Sequence, residues 1–281
     1  MTGTAAGGAP SAPAKSILLP REHGAWAMLL QPFLAALILG RSWSWTALAA
    51  LVVLVVFFMV REPLIVLARQ RLLWKTARVE SAGAARTLAW ELPLLAACGA
   101  MLFLRLPWQP LILLSAGAVL FTGYAVWMTV WNRQRSLLLQ VLSAAALSAS
   151  AFLGSLAAAG RIESWAAWLW LFLFLHCLGG VLVVRARLDA VAALKSTAGA
   201  PAGIYRAAVW SQIAMAFLGL GLLFSGRGVY ALPLFLSAAA HLLDLWRLRR
   251  PGELRRPLRQ VGRRALAVSV FYTLLCIAVL R

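Results

Sequence analysis

Acidic residues are scarce in this chain: eight Asp and Glu stand against 27 Lys and Arg, and charged residues make up only 12% of 281 positions. A soluble globular domain carries about 25% charged and about 45–50% apolar residues. Here 63% of positions are hydrophobic, which excludes a water-soluble fold. Cysteine is sparse as well. Cys98, Cys177 and Cys276 lie inside apolar runs without C-x-x-C spacing, so they read as small packing residues and not as disulfide partners or ligands. The three histidines, His23, His176 and His241, fall in three different runs without ligand spacing, which argues against a His-built metal site. No Gly-rich phosphate loop, nucleophile elbow or H-E-x-x-H motif is present.

What the chain has in abundance is apolar length. Runs near 24–40, 45–62, 86–104, 110–130, 136–159, 165–184, 204–224, 229–246 and 263–280 are mostly long enough, at ~1.5 Å per residue, to cross a hydrocarbon core of ~30 Å. The expectation is an all-α, polytopic membrane bundle of nine transmembrane helices. The basic residues fall on one side of it. Lys15 and Arg21 precede the first run, six cations (Arg61 to Arg86) follow the second, two the fourth, four the sixth and eight (Arg247 to Arg264) the eighth. Only Arg41, Arg105, Arg161, Arg227 and Arg281 fall opposite. By the positive-inside rule the N-terminus and the long connectors are cytoplasmic and the C-terminus is outside. A formal charge of +19 therefore reads as topology and contact with anionic lipid headgroups, without nucleic acid as a partner.

Residues 1–16 are small, Gly/Pro-rich and aperiodic and read as a disordered tail. Residues 17–281 read as a single transmembrane domain whose first span is not cleaved. Pro63 is expected to break or kink the second span at Arg61-Glu62 and to start a helix lying in the headgroup plane. The connector at 185–204 is expected to continue the sixth span and then dissolve into a Gly/Ala/Pro tether.

Ionisable residues in or at the edge of a span are functional candidates, because an unpaired one costs ~2.5–3.5 kcal/mol or more. Glu22, Glu62, Glu91, Asp189 and Asp244 sit at the charged ends of their runs. Arg61, Glu62 and Arg69 read either as a snorkelling Arg61 at a span end with Glu62 as its local partner or as a polar lip at a helix break beside Pro63, and Glu22 with His23 reads either as an ordinary helix start or as a candidate acid/base pair at the entry to the first span. Arg185 and Asp189 share a helical face at i,i+4 and read either as an ion pair or as part of the same site. Asp244 is expected to pair with Arg247, with His241 and His176 as satisfied bundle residues.

Pro20 to Met28, PREHGAWAM, followed by Gln31, Pro32 and Phe33, resembles the opening signature of the YwiC-like family of bacterial membrane proteins. At greater distance the layout resembles the UbiA superfamily of intramembrane prenyltransferases. Those enzymes have nine helices, an inside N-terminus and acidic motifs, N-D-x-x-D-x-x-x-D and D-x-x-x-D, after spans two and six that hold Mg²⁺ on a prenyl diphosphate. Laid on the first motif, Arg61 stands for Asn, Glu62 for the first Asp, Ile65 for the second and Arg69 for the third; on the second, Arg185 replaces one Asp and Asp189 retains the other. Asn132, Arg135 and Gln140 resemble that superfamily's basic segment between spans four and five.

The residues' own chemistry and the resemblance together give Glu22, His23, Glu62 and Asp189 as candidate catalytic groups and Arg61, Arg69, Asn132, Arg135, Gln140 and Arg185 as candidate ligand-binding ones. Two carboxylates in place of five would hold Mg²⁺ poorly, and no metal ligand or cofactor is assigned. Arginines would grip a phosphate or carboxylate directly. Three readings stand: an inner-membrane protein with an Arg-rich, cytoplasm-facing cavity for an anionic-headed prenyl or lipid amphiphile, including a divergent prenyltransferase; a non-enzymatic transporter or binder of a lipid or small anion; and a subunit of a membrane complex.

Overall fold

A computed structural model describes residues 23–75, 79–195, 203 and 205–281. Within these the chain is helical throughout: α1 (His23–Gly40), α2 (Trp45–Arg69), α3 (Val79–Arg105), α4 (Trp108–Val130), α5 (Leu137–Ser148), α6 (Ser150–Ala159), α7 (Ser164–Lys195), α8 (Arg206–Phe224), α9 (Gly228–Leu248), the one-turn α10 (Pro251–Leu254) and α11 (Leu258–Leu280). Glu22, the 1–16 tail and the expected tether at 196–202 lie outside the described residues.

Among the described residues, eight helical stretches are long and apolar enough to cross a membrane, with α5 and α6 acting together as one of them. The protein is therefore a multi-pass membrane protein. The ninth expected span corresponds to Gly24–Gly40, which is shorter; its 17 residues reach about 26 Å at 1.5 Å each. Side chains that would be costly in water cover the outside, with Leu104 85% and Phe224 86% exposed, as lipid-facing surfaces require.

The helices run past the apolar stretches on the Arg-rich side. Pro63 does not end α2: it is buried inside a helix that continues to Arg69 and widens into a π-turn at Gln70–Trp74. The expected break at Arg61-Glu62 and the separate interfacial helix after it are thus corrected. Membrane helices tolerate an internal proline because neighbouring groups re-satisfy the freed carbonyl, and Pro32, Pro93 and Pro233 are likewise internal. The turn stops at Lys75, which takes a left-handed conformation, φ 55°. Similarly α7 continues from the membrane to Lys195.

The apolar run at 136–159 is interrupted. α5 and α6 meet at Ala149, and the irregularity is held from two sides: the Trp170 indole N–H donates to the Ala145 carbonyl at 3.0 Å, and the Ser150 hydroxyl donates to the Leu29 carbonyl of α1 at 2.7 Å. Side chain to backbone bonds of this kind act as glue where hydrocarbon offers no hydrophobic drive.

Close backbone approach does the rest. α1 lies inside the bundle with Phe33 and Ala36 fully buried. It seats against α6 at Gly154, where a Cβ would come 2.7 Å from the Ala36 Cβ and 2.8 Å from the Phe33 carbonyl oxygen. Gln31 accepts from the hydroxyl of Ser269 on α11 at 2.7 Å. In the 20–33 stretch, Gln31 and Phe33 therefore have packing roles.

Candidate functional site

The entry of α1 meets α2 through aromatic rings. Trp26 packs edge-on to Phe58, with centroids 4.9 Å apart, and the Arg61 guanidinium lies over the Phe58 ring at 5.4 Å. Arg61 also donates from Nη2 to Glu62 Oε1 at 2.9 Å. Ala25, Leu29 and Phe58 form one buried cluster, against which Leu147 of α5 packs. His23 is the first residue of α1, so it sits one turn before Trp26.

Two turns further along α2, Arg69 donates from Nη2 to the Thr129 carbonyl at the end of α4, 3.0 Å away. The α4–α5 connector begins there. Asn132 adopts a left-handed conformation, φ 56°, with its N–H bonded to the Thr129 carbonyl; Asn is among the few non-glycine residues that take this region readily, so its residue type is explained by the turn. Arg135 is exposed, and its carbonyl accepts from Arg185 Nη1 of α7 at 3.3 Å. The same nitrogen donates to Gln140 Oε1, also at 3.3 Å.

Gln140, Ala144 and Leu147 follow i, i+4, i+7 spacing and so share one face of α5. The Arg185–Gln140 contact therefore lies about 10 Å, or two turns, along α5 from the Leu147 side chain at the Trp26–Phe58 cluster. The structure brings together Arg61 with Glu62, and Arg185 with Gln140 and the backbone of Arg135. Asp189 is not part of this set: it is exposed and makes no ion pair among the described residues, so the i,i+4 bridge to Arg185 considered from the sequence is absent there. Two open grooves on the described surface, one beside α11 and one between α2 and α3, are apolar, and neither is lined by Arg61, Arg69 or Arg185. Among the described residues, no three of His, Cys, Asp and Glu are grouped so as to hold a metal.

Three arrangements were not read from the sequence. His176 and His241 are not scattered: their rings lie 4.8 Å apart, His241 Nε2–H donates to the His176 carbonyl at 3.0 Å, and His176 Nδ1 is 2.9 Å from the Ser237 hydroxyl. Tyr272 stacks on His176 at 4.2 Å and donates to the Phe172 carbonyl. Gly179 permits this meeting, since a Cβ there would lie 2.6 Å from the His241 ring. Second, Arg187, two residues from Arg185, turns the opposite way and is buried, donating from Nη2 to the Arg256 carbonyl at 2.8 Å. Third, Glu91 is fully buried on α3 with neither carboxyl oxygen bonded among the described residues. The expected Asp244–Arg247 pair is present at 3.6 Å, and Asp244 also contacts Arg264.

No curated protein and no solved structure matches the chain. A family model does: it covers residues 19–155, from just before α1 to the middle of α6, and takes in the Trp26–Phe58–Arg61 contact, the Arg69 anchor and Gln140. Over that stretch the chain is similar to the family described as YwiC-like protein.

Proposed function

We propose that the Arg-rich face around the α4–α5 connector holds the anionic head of a prenyl or lipid amphiphile whose tail lies in the bilayer, in an inner-membrane protein of distant UbiA-like layout. The supporting observation is that Arg69 and Arg185 are positioned by backbone carbonyls from either side of the connector, with one nitrogen of each guanidinium used in those bonds. A guanidinium offers five N–H donors in a fixed fork, so each anchored side chain keeps donors for an oxyanion. Arg61 stands with Glu62 next to the family's opening stretch. In this reading α1 completes nine spans, the N-terminus is cytoplasmic, and Glu62, with Glu22 and His23 at the start of the first span in sequence, supplies the acid/base groups. A divergent transferase is the enzymatic form.

A transporter or non-enzymatic binder is the second reading. It is favoured by the interruption at Ala149, because transporters place discontinuous helices at their binding sites.

The test uses the purified full chain in detergent, with farnesyl diphosphate as probe. Binding is expected to persist in EDTA and to weaken by ~1–3 kcal/mol on Arg185→Ala or Arg61→Ala, the scale of a hydrogen bond to a charged group. Binding that vanishes in EDTA yet ignores both substitutions contradicts this reading. Orientation is checked separately: a reporter fused after Arg281 is expected outside and one inserted at Gly199 inside. A cytoplasmic C-terminus would refute the nine-span arrangement.

A further inference from the structure

The elbow between α9 and α11 carries more positive charge than its own acids can neutralise. Asp244 is engaged by Arg247 and Arg264, and Glu253 by Arg256 at 3.0 Å. Buried Arg187 fixes α10 to α7 through the carbonyls of Leu254 and Arg256, so the elbow is held and does not hang free. Arg249, Arg250, Arg255, Arg259 and Arg263 remain, all exposed and without a carboxylate partner among the described residues, Arg250 lying over the Trp246 ring. Arg259 and Arg263 are i,i+4 on α11, on one helical face.

That face leads directly into an apolar groove of about 460 Å³ lined by Arg263, Leu266, Ala267, Val270, Phe271 and Leu274. The spacing from Arg263 is +3, +4, +7, +8 and +11, a single stripe down the helix. From Arg263 to Leu274 the stripe is about 16 Å long, close to half of a ~30 Å hydrocarbon core. It is thus one leaflet deep, cationic at the headgroup end and apolar below.

We infer that this groove is a binding site for one anionic phospholipid of the leaflet that meets α10, its phosphate at Arg259 and Arg263 and an acyl chain along Leu266 to Leu274. Charge and length match a lipid at both ends of the stripe; a soluble anion would use only the upper end. The inference is independent of the amphiphile site proposed above, since no residue is shared.

The experiment is native mass spectrometry of the full chain, purified in mild detergent and exposed to equal amounts of phosphatidylglycerol and phosphatidylcholine with matched chains. The wild type is expected to retain phosphatidylglycerol with at least ~10-fold preference. Arg259→Gln with Arg263→Gln removes the preference, Arg259→Lys with Arg263→Lys keeps most of it, and Arg86→Gln on α3 leaves it unchanged. Ala267→Trp, which fills the groove, lowers retention of phosphatidylglycerol while the arginines remain. Equal retention of the two lipids by the wild type overturns the inference. So does a preference that survives the double Gln variant, or one that millimolar inorganic phosphate abolishes.

Discussion

Replacing Gly154 by leucine is expected to abolish recovery of folded protein, read as loss of the monodisperse peak in fluorescence-detected size-exclusion chromatography. The position has no room. An added Cβ meets the Ala36 Cβ at 2.7 Å and the Phe33 carbonyl oxygen at 2.8 Å. Neither is the far end of a flexible side chain, so α1 and α6 must separate. Overpacking of this kind typically costs ~1–3 kcal/mol even for small additions, which sets the expectation for Gly154→Ala; leucine adds three more carbons at the same point. Gly99→Leu and Gly117→Leu are the controls, because a Cβ at either position meets nothing within 4 Å. A Gly154→Leu protein as well behaved as these controls would show that α1 does not seat on α6.

Glu91→Met is expected to stabilise the protein. The carboxyl is fully buried on α3, and neither oxygen has a hydrogen-bond partner among the described residues. A buried unsatisfied polar group costs ~1–3 kcal/mol, and each kcal/mol moves the midpoint by about 2–4 °C in a chain of roughly this size. The expected result is a rise of about 2–12 °C in a thermal unfolding assay in detergent. Thr87→Val on the same helix removes a hydroxyl that is already bonded to the Gly83 carbonyl at 3.0 Å, and it should give no such rise. A lower midpoint for Glu91→Met would mean that the carboxyl has a favourable partner in the native membrane protein, a bound cation or a ligand donor.

Apolar runs locate helices well where both ends lie at the membrane edge: 110–130 against α4 and 204–224 against α8 agree within two residues. They fail at the Arg-rich ends, since hydropathy reports the surrounding solvent and not the state of the backbone. α2, α3 and α7 keep their helical hydrogen bonds beyond the hydrocarbon, into stretches such as Leu64–Arg69 that read as connector. The interruption at Ala149 is hidden for the opposite reason, lying in a run that is apolar on both sides. Arg185 and Gln140 were legible as candidates, but their contact depends on how α5 meets α7. The same holds for His176 and His241: each appears alone in its span, and only the pairing of α7 with α9 across Gly179 brings their rings together.

The connector from α4 to α5 is gripped from both flanks, by Arg69 of α2 at the Thr129 carbonyl and by Arg185 of α7 at the Arg135 carbonyl. Each end of the connector is therefore fixed to the helices on its own side. A hydrogen bond to a charged group contributes about 1.5–3 kcal/mol, with the 3.3 Å contact toward the weaker end. Swinging α1–α4 against the later helices would leave both grips intact and is opposed instead where α1 seats on α6 at Gly154. Such a molecule resists the rocking of two halves that opens many carriers first to one side and then to the other.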